Sequence, residues 1–117
     1  MIYNIAPTPK PRMTRSDKWN KRPCVVAYRS FKDSCRVLGL KLSVDSKVIF
    51  HIAVPKSWSQ NKKAAHIGLP HLQRPDCDNL VKGLWDALFT EDGHMWRINA
   101  EKRWAATPSI EIIEESV

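Results

Sequence analysis

The sequence predicts an α+β fold, with helices packed on a small mixed sheet, and three observations carry that expectation. Strand-like stretches alternate with amphipathic stretches of helical period in the order strand, helix, strand, helix, strand. The 117 residues fit one domain, 1–117, because domains commonly hold roughly 100–150 residues before a core divides. Apolar residues make up 43% and charged residues 26% of the chain, a balance that supports a modest core and argues against disorder. The order of strands in the sheet does not follow from this pattern.

At the N-terminus, MIYNIA alternates apolar and polar residues and stops at Pro7, as a short first strand does. Residues 7–23 hold four prolines and six Lys/Arg, which suits neither helix nor central strand and predicts an exposed basic loop. Trp19 sits among those charges, where an indole either stacks on a base or sugar or closes the loop against the body. Between Val25 and Leu40, the residues Tyr28, Phe31, Cys35 and Leu38 recur at three- and four-residue intervals. They predict a helix packed on the sheet and ended near Gly39.

KVIFHIAV, residues 47–54, is rich in β-branched and aromatic residues and stops at Pro55, which predicts a buried strand. His51 within it is expected to be a satisfied structural histidine. Residues 55–75 form a second long basic connection, of a length that is usually functional or mobile in a compact domain. His66 and His71 are expected to be solvent-exposed loop histidines, since their spacing gives metal binding little support. KRWAAT and SIEIIEE flank Pro108 as one interrupted strand or two short ones, and Trp96 and Trp104 are expected to be packing residues.

A net charge of +7 favours a polyanionic partner, nucleic acid first and an acidic membrane surface second. The charge is uneven: residues 1–63 carry 14 Lys+Arg against 3 Asp, whereas residues 64–117 carry 5 Lys+Arg against 9 Asp+Glu. One half suits phosphates and the other a cation. The three cysteines, Cys24, Cys35 and Cys77, show no zinc spacing and suggest reduced thiols in a cytoplasm. No signal-peptide core and no run of ~18 apolar residues is present, so neither secretion nor membrane insertion is expected.

The stretch RPDCDNLVKGLWDAL, residues 74–88, concentrates acid in a basic protein. Pro75 disfavours helix before it, and Asp76 or Asp78 suits a helix N-cap. From there Leu80, Leu84, Ala87 and Leu88 share one face, while Asp78, Lys82 and Asp86 line the opposite one. A structural role explains part of this, since aspartates favour a helix N-terminus and the three charges can form a surface ion-pair ladder. Against it stands Glu91-Asp92, where a turn at Gly93 can bring a third carboxylate back to the site. Converging carboxylates suit Mg²⁺ or Mn²⁺, hard ions that prefer oxygen ligands and share them with substrate phosphate. Joined to a basic nucleic-acid groove, such a seat points to phosphodiester hydrolysis, in which a neighbouring lysine stabilises the extra charge of the transition state. Asp86 lies about 12 Å from Asp78 by helical rise, too far to share an ion, and is expected in a salt bridge or a dimer contact. Trp85, at the border of the apolar face, is expected in the core or an interface.

These residues resemble the central motif of the RusA family of Holliday-junction resolvases, approximately Pro-Asp-x-Asp-Asn-Leu-x-Lys, three residues, then Asp-Ala-Leu. The early proline and basic loop, the strand before a Pro-containing loop and the later acidic pair keep the family's order over most of the chain. The resemblance implies a RusA-like fold, a Mg²⁺-dependent endonuclease (Mn²⁺ substituting) that cuts four-way DNA junctions, and a homodimer that places two sites on opposing strands. It implies catalytic, metal-coordinating Asp76 and Asp78, a catalytic Lys82, and Asp92 as third carboxylate, with Glu91 and His94 standing where Asp and Gln are usual. Asn79 is expected to support the helix start. Lys10, Arg12, Arg15, Lys18, Lys21, Arg22, Lys62 and Lys63 are the expected phosphate contacts. Small resolvases of this kind often belong to phages or prophages. Two other readings stand beside it: a junction-binding module without cleavage, and an RNA-binding protein that uses Trp19 and Trp58 as stacking platforms.

Overall fold

The computed structural model of the protein describes residues 1–11, 22–42, 46–89 and 96–114. Its elements run β1 (Ile2–Tyr3), α1 (Pro23–Val37), β2 (Ser46–Ala53), α2 (Gln60–His66), α3 (Cys77–Leu88), β3 (Asn99–Ala105) and β4 (Ser109–Glu114). The four strands form one mixed sheet in the order β1-β4-β2-β3, with β2 and β3 parallel and the other pairs antiparallel. The expected α+β arrangement is present. A parallel pair needs a long crossover, and here residues 54–98, carrying α2 and α3, supply it.

Period-two alternation decides which side of the sheet is covered. Val48, Phe50, Ile110 and Ile112 point to the helices and are buried with Tyr28, Phe31 and Cys35 of α1 and Leu80, Leu84 and Trp85 of α3. Full burial of each such side chain stabilises the fold by roughly 1.5–3 kcal/mol. The opposite face carries ion pairs instead: Lys47 with Glu101 at 2.6 Å, Arg103 with Glu101, and His51 with Glu111 at 3.0 Å. His51 is thus a satisfied structural histidine. Lys47 and Arg103 hold the Glu101 carboxyl below the usual range, with Lys47 the larger influence.

Several boundaries differ from the sequence expectation. The first strand is two residues long, because Ile5 N–H bonds back to Tyr3 carbonyl at 2.8 Å and turns the chain off the sheet. Pro23 opens α1 at its first turn, where its missing N–H costs nothing. The helix ends at Val37, and Gly39 adopts φ 65°, a left-handed conformation that glycine enters without strain. Leu38 consequently leaves the predicted apolar face, and Leu40 and Leu42 fill the core in its place. The 55–75 connection contains a helix, α2, started by Ser59, whose side chain accepts Lys62 N–H at 3.2 Å. None of its residues is buried, so it lacks the apolar period that predicts helices. The C-terminal segments are two strands that do not pair with each other, since β2 lies between them. Trp85 and Trp104 are packed, but Trp96 is 75% exposed, because it precedes β3 and takes no place on the sheet's inner face.

Candidate active site

Asp76 occupies the N-cap position of α3, with extended backbone at φ −68° and ψ 145°. Its carbonyl accepts the first helical bond, from Leu80 N–H at 3.1 Å. An aspartate here ordinarily turns its side chain onto the orphan N–H groups of the first turn. Asp76 makes no such capping bond, and among the described residues its carboxylate has no hydrogen-bond partner. Asp78, in the first turn, accepts Asn79 N–H on Oδ1 at 2.9 Å. The contact that Asn79 makes with the neighbouring carboxylate is thus through its backbone. Asp76, Asp78 and, one turn on, Lys82 are all exposed, and the helix dipole adds positive potential beside the carboxylates. The inner face of the same helix is buried, so packing fixes the direction in which these charges point.

Strand β3 holds the chain that leads into Asp76. Gly68 N–H donates to Trp104 carbonyl at 2.8 Å, Trp104 N–H to Leu69 carbonyl at 3.0 Å, and His71 N–H to Lys102 carbonyl at 3.0 Å. Beyond that short pairing, the Lys102 ammonium donates to Gln73 carbonyl at 2.7 Å and Pro75 carbonyl at 2.8 Å. The Pro75 carbonyl belongs to the peptide that ends at Asp76 N–H, so Lys102 fixes the residue at its backbone. Sequence reasoning missed Lys102. The available signal was a lysine on the inward face of a strand, between Ala100 and Trp104, where an ammonium must find acceptors.

The buried His71 corrects the expectation of an exposed loop histidine: it is 4% exposed, with its ring 4.3 Å from that of Trp104 and its Nδ1 without a partner among the described residues. Its neighbour His66 is half-buried, with Nδ1 2.7 Å from Lys62 carbonyl. Burial, then the Lys102 charge, lower the His71 pKa from its ordinary 6.5. The unfolded state therefore binds more protons just below that value, and stability is full above about pH 6.5 and declines as pH falls. Thermal melting between pH 8 and pH 5 should show this decline, and His71→Phe should flatten it. Burial also raises the thiol pKa of Cys77 at the start of α3.

Of the two aromatic platforms that an RNA-binding reading requires, Trp58 is already engaged within the protein. The Trp58 ring lies 4.7 Å from His66 and 4.9 Å from Trp104, with the Lys62 ammonium 4.3 Å over it. Trp19 lies outside the described residues.

Gly83 brings the N-terminal basic segment to this helix. A Cβ there would lie 3.0 Å from Thr8 carbonyl oxygen and 3.1 Å from Lys10 nitrogen, so only glycine admits residues 8–10 without displacement. Tyr28 donates its hydroxyl to Gly83 carbonyl at 2.8 Å, and the Lys10 ammonium lies 2.5 Å from Asp86. Gly83→Val is expected to destabilise by about 1–3 kcal/mol through overpacking, measured by denaturant unfolding. Of the other expected phosphate contacts, Arg22 precedes α1 and Lys62 and Lys63 lie on α2. Arg12, Arg15, Lys18 and Lys21 lie outside the described residues, as do Glu91 and Asp92.

Among the described residues, no group of three His, Cys, Asp or Glu side chains is placed to hold a metal ion. Asp76 and Asp78 nonetheless suit one, being exposed oxygen donors of which one has no partner among the described residues. The model of the family described as endodeoxyribonuclease RusA matches residues 3–113. No curated protein and no solved structure shows a significant match to the chain. The chain belongs to the RusA family of Holliday-junction-resolving endonucleases.

Proposed function

We propose that this RusA-family enzyme is a Mg²⁺-dependent, structure-selective endodeoxyribonuclease that resolves four-way DNA junctions by paired nicks in recombination and repair. The observation that carries the metal-dependent reading is the N-cap aspartate that does not cap. A carboxylate withheld from its ordinary structural bond, beside a second exposed carboxylate that lies one turn before a lysine, suits a cation that would share phosphate oxygens. A Mg²⁺ or Mn²⁺ ion held there would supply an acidified water and neutralise charge on the phosphoryl oxygens. Asp76, Asp78 and Asp92 are the proposed ligands. One carboxylate takes the proton of the attacking water, and the Lys82 ammonium stands against the charge of the phosphorane or leaving oxygen.

The 117 residues act as one endonuclease domain, and a homodimer would match the twofold symmetry of a junction by presenting the same site twice. Three free cysteines support a cytoplasmic setting, and among the described residues no helix is long and apolar enough to cross a membrane. The test is cleavage of an end-labelled four-way junction, with linear duplex and single-stranded RNA as controls, in Mg²⁺ and in chelator. Paired nicks near the branch that need the metal are expected. Tight junction binding with no nick in any metal would leave a binding module.

Lys102 acts in this scheme as a positioning residue. Lys102→Met should lower the cleavage rate about 10- to 100-fold and raise the Mg²⁺ concentration for half-maximal rate, as loss of outer support does at metal sites. Lys102→Arg should restore part of the rate. A Mg²⁺ titration of single-turnover cleavage, with junction affinity measured alongside, separates this from a loss of DNA binding.

A further inference from the structure

We propose that the groove between the C-terminal ends of α1 and α3 is a second contact for the DNA backbone, holding phosphates about three to four nucleotides from the scissile one. This rests on the reading that Asp76 and Asp78 mark the site of cleavage. The groove has a volume of about 830 Å³ and is walled by Lys10, Lys32, Arg36, Lys41, Asp86 and apolar residues. Its single acid lies against the Lys10 ammonium at 2.5 Å. Among the described residues Lys32, Arg36 and Lys41 have no carboxylate partner, so a concave surface keeps three cations without compensation.

Arg36 and Lys41 are also not needed to finish α1. Leu38 N–H donates to Ser34 carbonyl at 3.0 Å, Gly39 N–H to Arg36 carbonyl at 3.1 Å, and Leu40 N–H to Cys35 carbonyl at 3.1 Å. The backbone itself satisfies the helix end, which leaves the basic side chains available to an outside anion. Lys32 is restrained by its position 5.8 Å over the Tyr28 ring. Helix α3 connects the two places. From Asp78 to Asp86 its axis rises about 12 Å, and a DNA strand carries one phosphate per about 3.4 Å of axis. A duplex whose axis lies along α3 therefore brings the third or fourth phosphate from the cut level with the groove.

The experiment compares the full-length wild type with Lys32→Gln/Arg36→Gln/Lys41→Gln, and with Arg36→Gln alone, on a four-way junction in chelator. Loss of three phosphate contacts should lower the slope of log Kd against log salt by about 3, weaken binding about 10- to 100-fold near 0.1 M salt, and leave thermal melting unchanged. Arg36→Gln should lower the slope by about 1. A neutral methylphosphonate at the third or fourth phosphate should weaken the wild type and leave the triple variant unaffected. Equal salt slopes in wild type and triple variant, or an equal methylphosphonate loss in both, would overturn the groove. Nicking by the wild type in Mg²⁺ is scored separately. A wild type that binds but does not nick refutes the cleavage reading, whereas one that nicks beside an unaltered variant refutes the groove alone.

Discussion

Asp76→Asn and Asp78→Asn are each expected to slow single-turnover junction cleavage at least about 10³-fold, or ~4 kcal/mol of barrier, while junction affinity is unchanged or tighter. Asparagine keeps the shape of the side chain and removes the charge that a hard cation requires. Removing a negative charge beside a DNA phosphate also relieves repulsion, so affinity should not fall. Folding should scarcely respond. Both residues are exposed, Asp76 makes no capping bond, and asparagine serves an N-cap as well as aspartate. Asp78 gives up some macrodipole stabilisation, about 0.3–1 kcal/mol. Rate, affinity and unfolding free energy measured on the same preparations check all three statements. A variant that loses rate and stability together would point to a structural aspartate instead.

Lys82→Met is the second large effect, with an expected fall of about 10²–10³ in the single-turnover rate at saturating junction, the usual cost of removing one transition-state donor. Its Mg²⁺ dependence should match the wild type, which distinguishes it from Lys102→Met. Lys82 is exposed on a helix whose opposite face is buried, so the substitution leaves the core intact. Lys82→Arg keeps the charge but changes its shape and reach, and should recover part of the rate. A Lys82→Met enzyme that keeps its saturated rate and loses only affinity would make this lysine a phosphate contact.

Helix α3 was legible in the sequence because Pro75, the aspartates and the apolar spacing all point to one start and one buried face. Helix α1 and strand β2 were legible for the same kind of reason, the agreement of period with punctuation. The rest depended on contacts distant in sequence. Helix α2 has a capping serine but buries nothing. Strand β3 begins three residues earlier than KRWAAT suggests, because pairing with β2 recruits Asn99, Ala100 and Glu101. In the candidate site, Asp76, Asp78 and Lys82 were candidates from spacing and family resemblance. Lys102 could not, since its acceptors are carbonyls of a loop whose path β3 determines. His71 is buried for the same reason, carried under Trp104 by that pairing. Nor does a sequence show that Gly83 is glycine because residues 8–10 cross it.

The most direct test of a metal seat at the head of α3 is to count bound Mn²⁺ by electron paramagnetic resonance in the wild type and in Asp76→Asn/Asp78→Asn, with nicking of a four-way junction followed in the same samples. Expected are Mn²⁺ binding that the double variant loses and nicks that only the metal-loaded wild type makes. Equal Mn²⁺ binding by both proteins, or nicking by the wild type in chelator, would contradict it.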